Sequence, residues 1–180
     1  MNSLLSDMKL KGLLLKNRSR IVERWFEEVM HSYAGQTARI FGKNKDKFRN
    51  PVGVNAREGL DSLYDRLLGD DDPALMESAL DQIIRIRSLQ DFSASQAVSF
   101  AFSLKGIIRK SLAGDIQANN LDEQMCRLEN RIDRMALVAF DIYSQCREKL
   151  YQIRVDQARS MYRMIDRPVG GRTNREKKSR

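Results

Sequence analysis

From Leu121 onward, Leu121, Met125, Leu128, Ile132, Met135, Ala139, Ile142 and Cys146 recur in alternating steps of four and three. Only a helix with one buried seam brings residues at that spacing onto a single face. Leu150 follows Cys146 by another step of four and breaks the repeat. Beyond it Tyr151, Val155, Ala158, Tyr162 and Ile165 form a second stripe on an adjacent face. A helix from about 121 to 165 would be ~67 Å long. A folded body of about 150 residues is only ~40 Å across. The sequence therefore predicts an all-α protein whose last helix overruns its own domain as a stalk. The apolar side chains of that stalk need cover, and the simplest cover is the same helix of a second copy.

The rest of the chain reads as shorter helices. Leu4 to Leu15 is loosely periodic and is interrupted by Gly12. Asn17 to Tyr33 is strongly amphipathic, with Ile21, Trp25, Val29 and Tyr33 at steps of four. Residues 34–50 read as a long loop pinned by Phe41 and Phe48. Asn50-Pro51 starts a helix that runs to about Leu68, and Gly69 is placed to end it in a left-handed conformation. Asp72-Pro73 starts the next, which buries Met76, Leu80, Ile83, Ile84 and Leu89. Asp70, Asp71 and Asp72 suit the positive end of that helix and lack the ligand spacing of a calcium loop. Ser93 and Gln96 have capping-box spacing. The helix they open carries Ala97, Val98, Phe100, Ala101, Phe102, Leu104, Ile107, Ile108 and Leu112 around most of its circumference, so it should be nearly enclosed, with Gly114-Asp115 ending it. One domain over residues 1–165 and a disordered basic tail over 166–180 complete the reading.

The net charge of +8 sits at the two ends. Residues 1–20 hold five basic groups and one acid, and residues 166–180 hold six and two; the stretch between them is balanced. Basic ends can solubilise a chain or meet nucleic acid or anionic lipid. No apolar run reaches the ~18–20 residues of a membrane span, and no signal-peptide pattern opens the chain, so the expected location is cytoplasmic. Cys126 and Cys146 lie 20 residues apart on one helix, about 30 Å, and cannot bridge within a chain.

Catalytic patterns are missing. His31 is the single histidine and reads as a surface residue at a helix end. There is no Cys-x-x-Cys pair, phosphate loop or nucleophile elbow. Asp61 and Asp65 stand one helical turn apart, but Arg57 and Arg66 beside them make a solvated charged face. The chain is expected not to be an enzyme and to carry no cofactor. The polar residues worth following are Arg85, Arg87, Gln90, Asp91 and Gln96, crowded at the corner before the enclosed helix. Two readings are open there. The cluster recognises or senses something, or Arg85 or Arg87 pairs with Asp91 and locks the corner.

Asn50-Pro51-Val52-Gly53, Leu80 to Arg87, Gln90 to Val98, Leu104-Lys105 and Phe140 to Tyr143, with Cys146 to Lys149 and Tyr151, resemble the RsbRD N-terminal domain family over about residues 10–160. One departure is Ala94, where the family often has Pro. The resemblance implies a globin-like, non-haem helical bundle, the signalling and stress-response domain of stressosome co-antagonist proteins, homodimeric through a coiled coil of its final helix. The family's usual STAS domain would begin where this sequence stops, so a stand-alone module is expected. A histidine-free enclosed helix lacks the usual axial haem ligand. The partners expected are a second copy and a protein partner, with room for a small ligand. The alternatives are an accessory role beside a respiratory redox complex, as the resemblance also implies, and a nucleic-acid or anionic-membrane binder working through the basic termini.

Overall fold

The computed structural model describes residues 2–33, 51–69, 73–90 and 92–165. The described residues form six helices and no strand: α1 Asn2–Lys16, α2 Arg18–His31, α3 Pro51–Leu68, α4 Pro73–Leu89, α5 Ala94–Asn119 and α6 Asp122–Ile165. The protein is all-α. The expected loop at 34–50, with Phe41 and Phe48, lies outside the described residues, as do Asp70 to Asp72 and the tail from Asp166.

The chain divides into two compact units, Met1–Arg147 and Glu148–Arg180. In the first, the stripes read from the sequence converge on one core. Ile21, Trp25 and Val29 of α2, Leu60, Leu63 and Leu67 of α3, and Leu80, Ile83 and Ile84 of α4 are all buried. So is the α6 seam from Leu121 to Ile142, while Cys146 is half-buried at its end. α3 packs along α4, and α2 lies against both α3 and α5. Close approach of α3 and α4 depends on Gly59, because a Cβ there would meet Ile83 Cγ1 at 2.8 Å. Trp25 Nε1 donates to the Phe100 carbonyl at 2.7 Å, tying α2 to α5 at the centre. α5 and α6 run antiparallel, and Lys105–Asp133 and Arg109–Glu129 bridge them.

Several local expectations are corrected. α1 runs through Gly12 unbroken, with Leu10 and Leu14 buried on either side of it in sequence. Gly69 does end α3, but with ordinary backbone angles, its amide continuing to the Asp65 carbonyl at 2.9 Å. α5 does not stop at Gly114. Ile116 prolongs its buried face, and the stop comes at Asn120, at φ 51. There the Leu121 amide reaches back to the Ile116 carbonyl at 3.0 Å, a Schellman closure with both side chains buried. Leu89 and Phe102, read as core, are exposed, so α5 is less enclosed than its composition suggests. Asp61 and Asp65 find a partner on another element: Arg18 lies 2.9 and 2.7 Å from them, and Arg57 turns to Glu23.

In the second unit α6 runs from Glu148 to its end at Ile165. Tyr151, Ile153, Met161 and Tyr162 are exposed and Val155 is half-buried. Tyr151, Val155 and Tyr162 belong to the second stripe, and Ile153 and Met161 lie outside it.

Candidate functional site

The corner between α4 and α5 forms as its sequence specifies. Ser93 is extended, at φ −68 and ψ 162, and caps α5. The Gln96 amide donates to Ser93 Oγ at 3.3 Å, and Gln96 Oε1 accepts from the Ser93 amide at 2.9 Å. The Gln96 side chain is thereby used up in capping. Its carbonyl, however, faces inward.

The structure separates the two arginines of the expected cluster. Arg85 points outward and pairs with Asp81 one turn earlier on α4. Arg87, two residues on, sits on the opposite side of the helix and is completely buried, at 0% exposure. Asp91 lies outside the described residues, and Arg87 has no carboxylate partner among those described. The expected pairing with Asp91 therefore also lies outside the described residues.

Arg87 lies in a box of aromatic rings drawn from three places in the chain. Its guanidinium carbon is 4.5 Å from the centre of Phe92, 5.2 Å from Tyr33 and 5.6 Å from Phe100. Tyr33 and Phe92 meet edge to face at 5.3 Å. Nη2 donates to Ser32 Oγ at 2.8 Å and to the Gln96 carbonyl at 3.2 Å. Nε and Nη1 are buried without a hydrogen-bond partner, and so is Oε1 of Gln90 one turn away. Ring faces attract a cation but do not replace a counter-charge. Burial accordingly pushes the Arg87 guanidinium below its ordinary pKa, and the neighbouring Tyr33 hydroxyl opposes the shift. Burial also raises the Tyr33 phenol, against the pull of Arg87.

The box is held from outside. Tyr143 of α6 donates to the Phe92 carbonyl at 2.5 Å. Arg147 Nη1 reaches the Ser88 carbonyl at 3.3 Å, and Ser88 Oγ is bonded to the Arg85 carbonyl at 2.8 Å. α2, α4, α5 and α6 all bear on this one cation. Movement of any of them changes the ring faces and acceptors it meets.

The corner residues named from sequence thus split by role. Arg87 and Gln90 turn inward, Gln96 caps and contributes its carbonyl, and Arg85 belongs to a surface pair. Ser32, Tyr33, Phe92 and Phe100 were missed as walls of the site. The signal for Tyr33 was its place at the end of the buried α2 stripe. Nothing local links Ser32 to residue 87, which lies 55 positions away.

A second concave feature lies between α1, α3 and the start of α6. It is a cavity of about 350 Å³ with Leu10, Leu14, Leu67, Leu68 and Leu128 in its wall and Arg127 and Arg131 among its polar groups. Arg127 is bound to Asp7 and Glu123, and Arg131 donates to the Gly69 carbonyl at the end of α3. Those cations join helix ends. No group of three or more metal-ligating side chains occurs among the described residues, and no described helix is long and apolar enough to cross a membrane.

The chain belongs to the RsbT co-antagonist protein rsbRD N-terminal domain family, whose model matches residues 19–158. That span takes in the corner and nearly all of α6. No curated protein sequence and no solved structure matches the chain.

Proposed function

We propose that the protein is a cytoplasmic, non-catalytic sensor or protein-interaction domain, acting as a homodimer in stress-response signalling of the stressosome type. Family membership supports the regulatory class. The observation that carries the mechanism is Arg87, a buried cation with two unpaired donors, in contact with segments from α2 to α5. A buried charge lacking a counter-ion is costly, and its cost depends on the surrounding packing. A partner or small ligand that shifts α4 against α5 changes that packing. The corner then serves as the element that converts docking into a change of helix arrangement. Arg85, exposed near the end of α4, is a polar group through which a partner would engage the corner. The bundle is read as globin-like and haem-free, and the distal part of α6 as the dimer contact, along Tyr151, Val155, Ala158, Tyr162 and Ile165.

The test is affinity capture of the full chain from its source cells, with mass spectrometry of proteins and small molecules, beside an Arg87→Met variant of equal stability. The variant is expected to lose the partner or to hold it without response. Full retention of binding and response by Arg87→Met rules out the corner. Light scattering of the wild type and of a Tyr151→Glu/Tyr162→Glu variant tests dimerisation. A monomeric wild type at high concentration rules out the dimer.

A further inference from the structure

α1 presents apolar side chains on two opposite faces. Leu10 and Leu14 point into the core and are buried. Met8 and Leu15 point away from it, 71% and 51% exposed. Met8, Gly12 and Leu15 are spaced four and three apart and so share one ridge. At 100° per residue, Lys11 flanks that ridge on one side and Lys9 and Lys16 on the other. All three lysines are exposed. None has an ion pair among the described residues. The one acid on this helix outside its first residues, Asp7, is already engaged by Arg127 at 2.7 Å.

Further exposed cations lie on α2 and α5. Arg20 of α2 donates to the Ser111 carbonyl at 2.8 Å, and Arg24 to Ser111 Oγ at 3.4 Å. Beside Ser111, Lys110 is exposed on α5. These three cations have no carboxylate partner among the described residues. Glu23 of α2 is tied to Arg57, while Glu27 and Glu28, both exposed, stand three and four residues after Arg24 on its own face.

We propose that the outer face of α1 is a docking surface for an anionic phospholipid membrane. Met8 and Leu15 enter the headgroup boundary, and Lys9, Lys11 and Lys16 meet phosphates on either side. An exposed apolar ridge with Lys9 and Lys16 on one flank and Lys11, at the rim of the cavity beside α3 and α6, on the other is the pattern of a helix that lies in an interface, with its other face on protein. A second copy fits poorly, since two such faces bring like charges together. Nucleic acid satisfies the lysines but leaves the ridge unused.

The test is flotation of the full chain with vesicles of phosphatidylcholine alone or mixed with phosphatidylglycerol, at moderate salt. Binding is expected to the mixed vesicles and not to the neutral ones. Each lysine near such a surface is worth about fivefold in affinity, so Lys9→Gln/Lys16→Gln should weaken binding by about twenty-five-fold. Met8→Ser/Leu15→Ser should weaken it by about tenfold. Helical circular dichroism should be unchanged in both, because all four side chains are exposed. Mixed duplex DNA is measured in parallel. Three results overturn the proposal: no binding to the mixed vesicles, equal binding to neutral ones, or a Met8→Ser/Leu15→Ser protein that binds as the wild type does. DNA binding that is indifferent to Met8 and Leu15, with no vesicle binding, assigns the face to phosphate attraction alone.

Discussion

Replacing Arg87 with methionine should leave stability nearly unchanged, whereas replacing it with alanine should not. The guanidinium makes two charged hydrogen bonds, to Ser32 Oγ and the Gln96 carbonyl, each worth ~1.5–3 kcal/mol. Its desolvated contact with three rings adds about 2 kcal/mol. Against these stands the effective cost of burying an unpaired charge, several kcal/mol. Two nitrogens without partners add to that cost. The terms nearly cancel. Methionine occupies much of the same length and gains sulfur–ring contacts of ~0.3–1.5 kcal/mol. Arg87→Met is therefore expected within about 1 kcal/mol of wild type. Alanine removes the charge as well, but it leaves a hole between Tyr33, Phe92 and Phe100 and should cost ~3–4 kcal/mol. Urea unfolding at neutral pH, read as a shift in midpoint at constant slope, measures both. If Arg87→Met costs as much as Arg87→Ala, the charge itself stabilises the fold. The view of Arg87 as a costly cation awaiting a counterpart would then be refuted.

Gly59→Ala should destabilise by ~1–3 kcal/mol, because the new methyl meets Ile83 at 2.8 Å where α3 and α4 are closest; thermal melts read it. Gly106→Ala, on the same assay, should stabilise by ~0.5–1 kcal/mol, since it lies mid-helix in α5 with nothing near its Cβ. Trp25→Phe should cost ~2 kcal/mol through lost volume and the lost bond to the Phe100 carbonyl. Arg109 holds the Glu129 carboxyl below its ordinary pKa of 4.5. The stability this pair contributes is present above that value and is lost as pH falls through the lower, folded value. Because Arg109 is about half exposed, the contribution should be under about 1 kcal/mol. Arg109→Gln should lower stability by that amount at neutral pH and make little difference below the folded pKa, so that stability depends less on pH across that window.

The seam from Leu121 to Ile142, the α2 stripe and the Ser93–Gln96 cap were legible because each depends on periodicity or on a bond between near neighbours. A helix face and a capping box are set within a few residues, so the order of letters determines them. The family match, too, rests on the chain itself. Helix ends were less legible where packing overrode the local signal. Gly114 looks like a stop, but Ile116 has a core to enter, and the chain turns only at Asn120. Leu89 and Phe102 looked like core because hydrophobicity does not say which side a neighbouring helix occupies. Arg87 is the clearest limit. It stands two residues from Arg85 in the same basic, polar stretch, and no local rule separates them. Only the docking of α2 and α5 against α4 puts Tyr33, Phe92 and Phe100 around one and leaves the other in water beside Asp81. Burial of a charge is decided by the surfaces that close over it, and those surfaces come from parts of the chain that are distant in sequence.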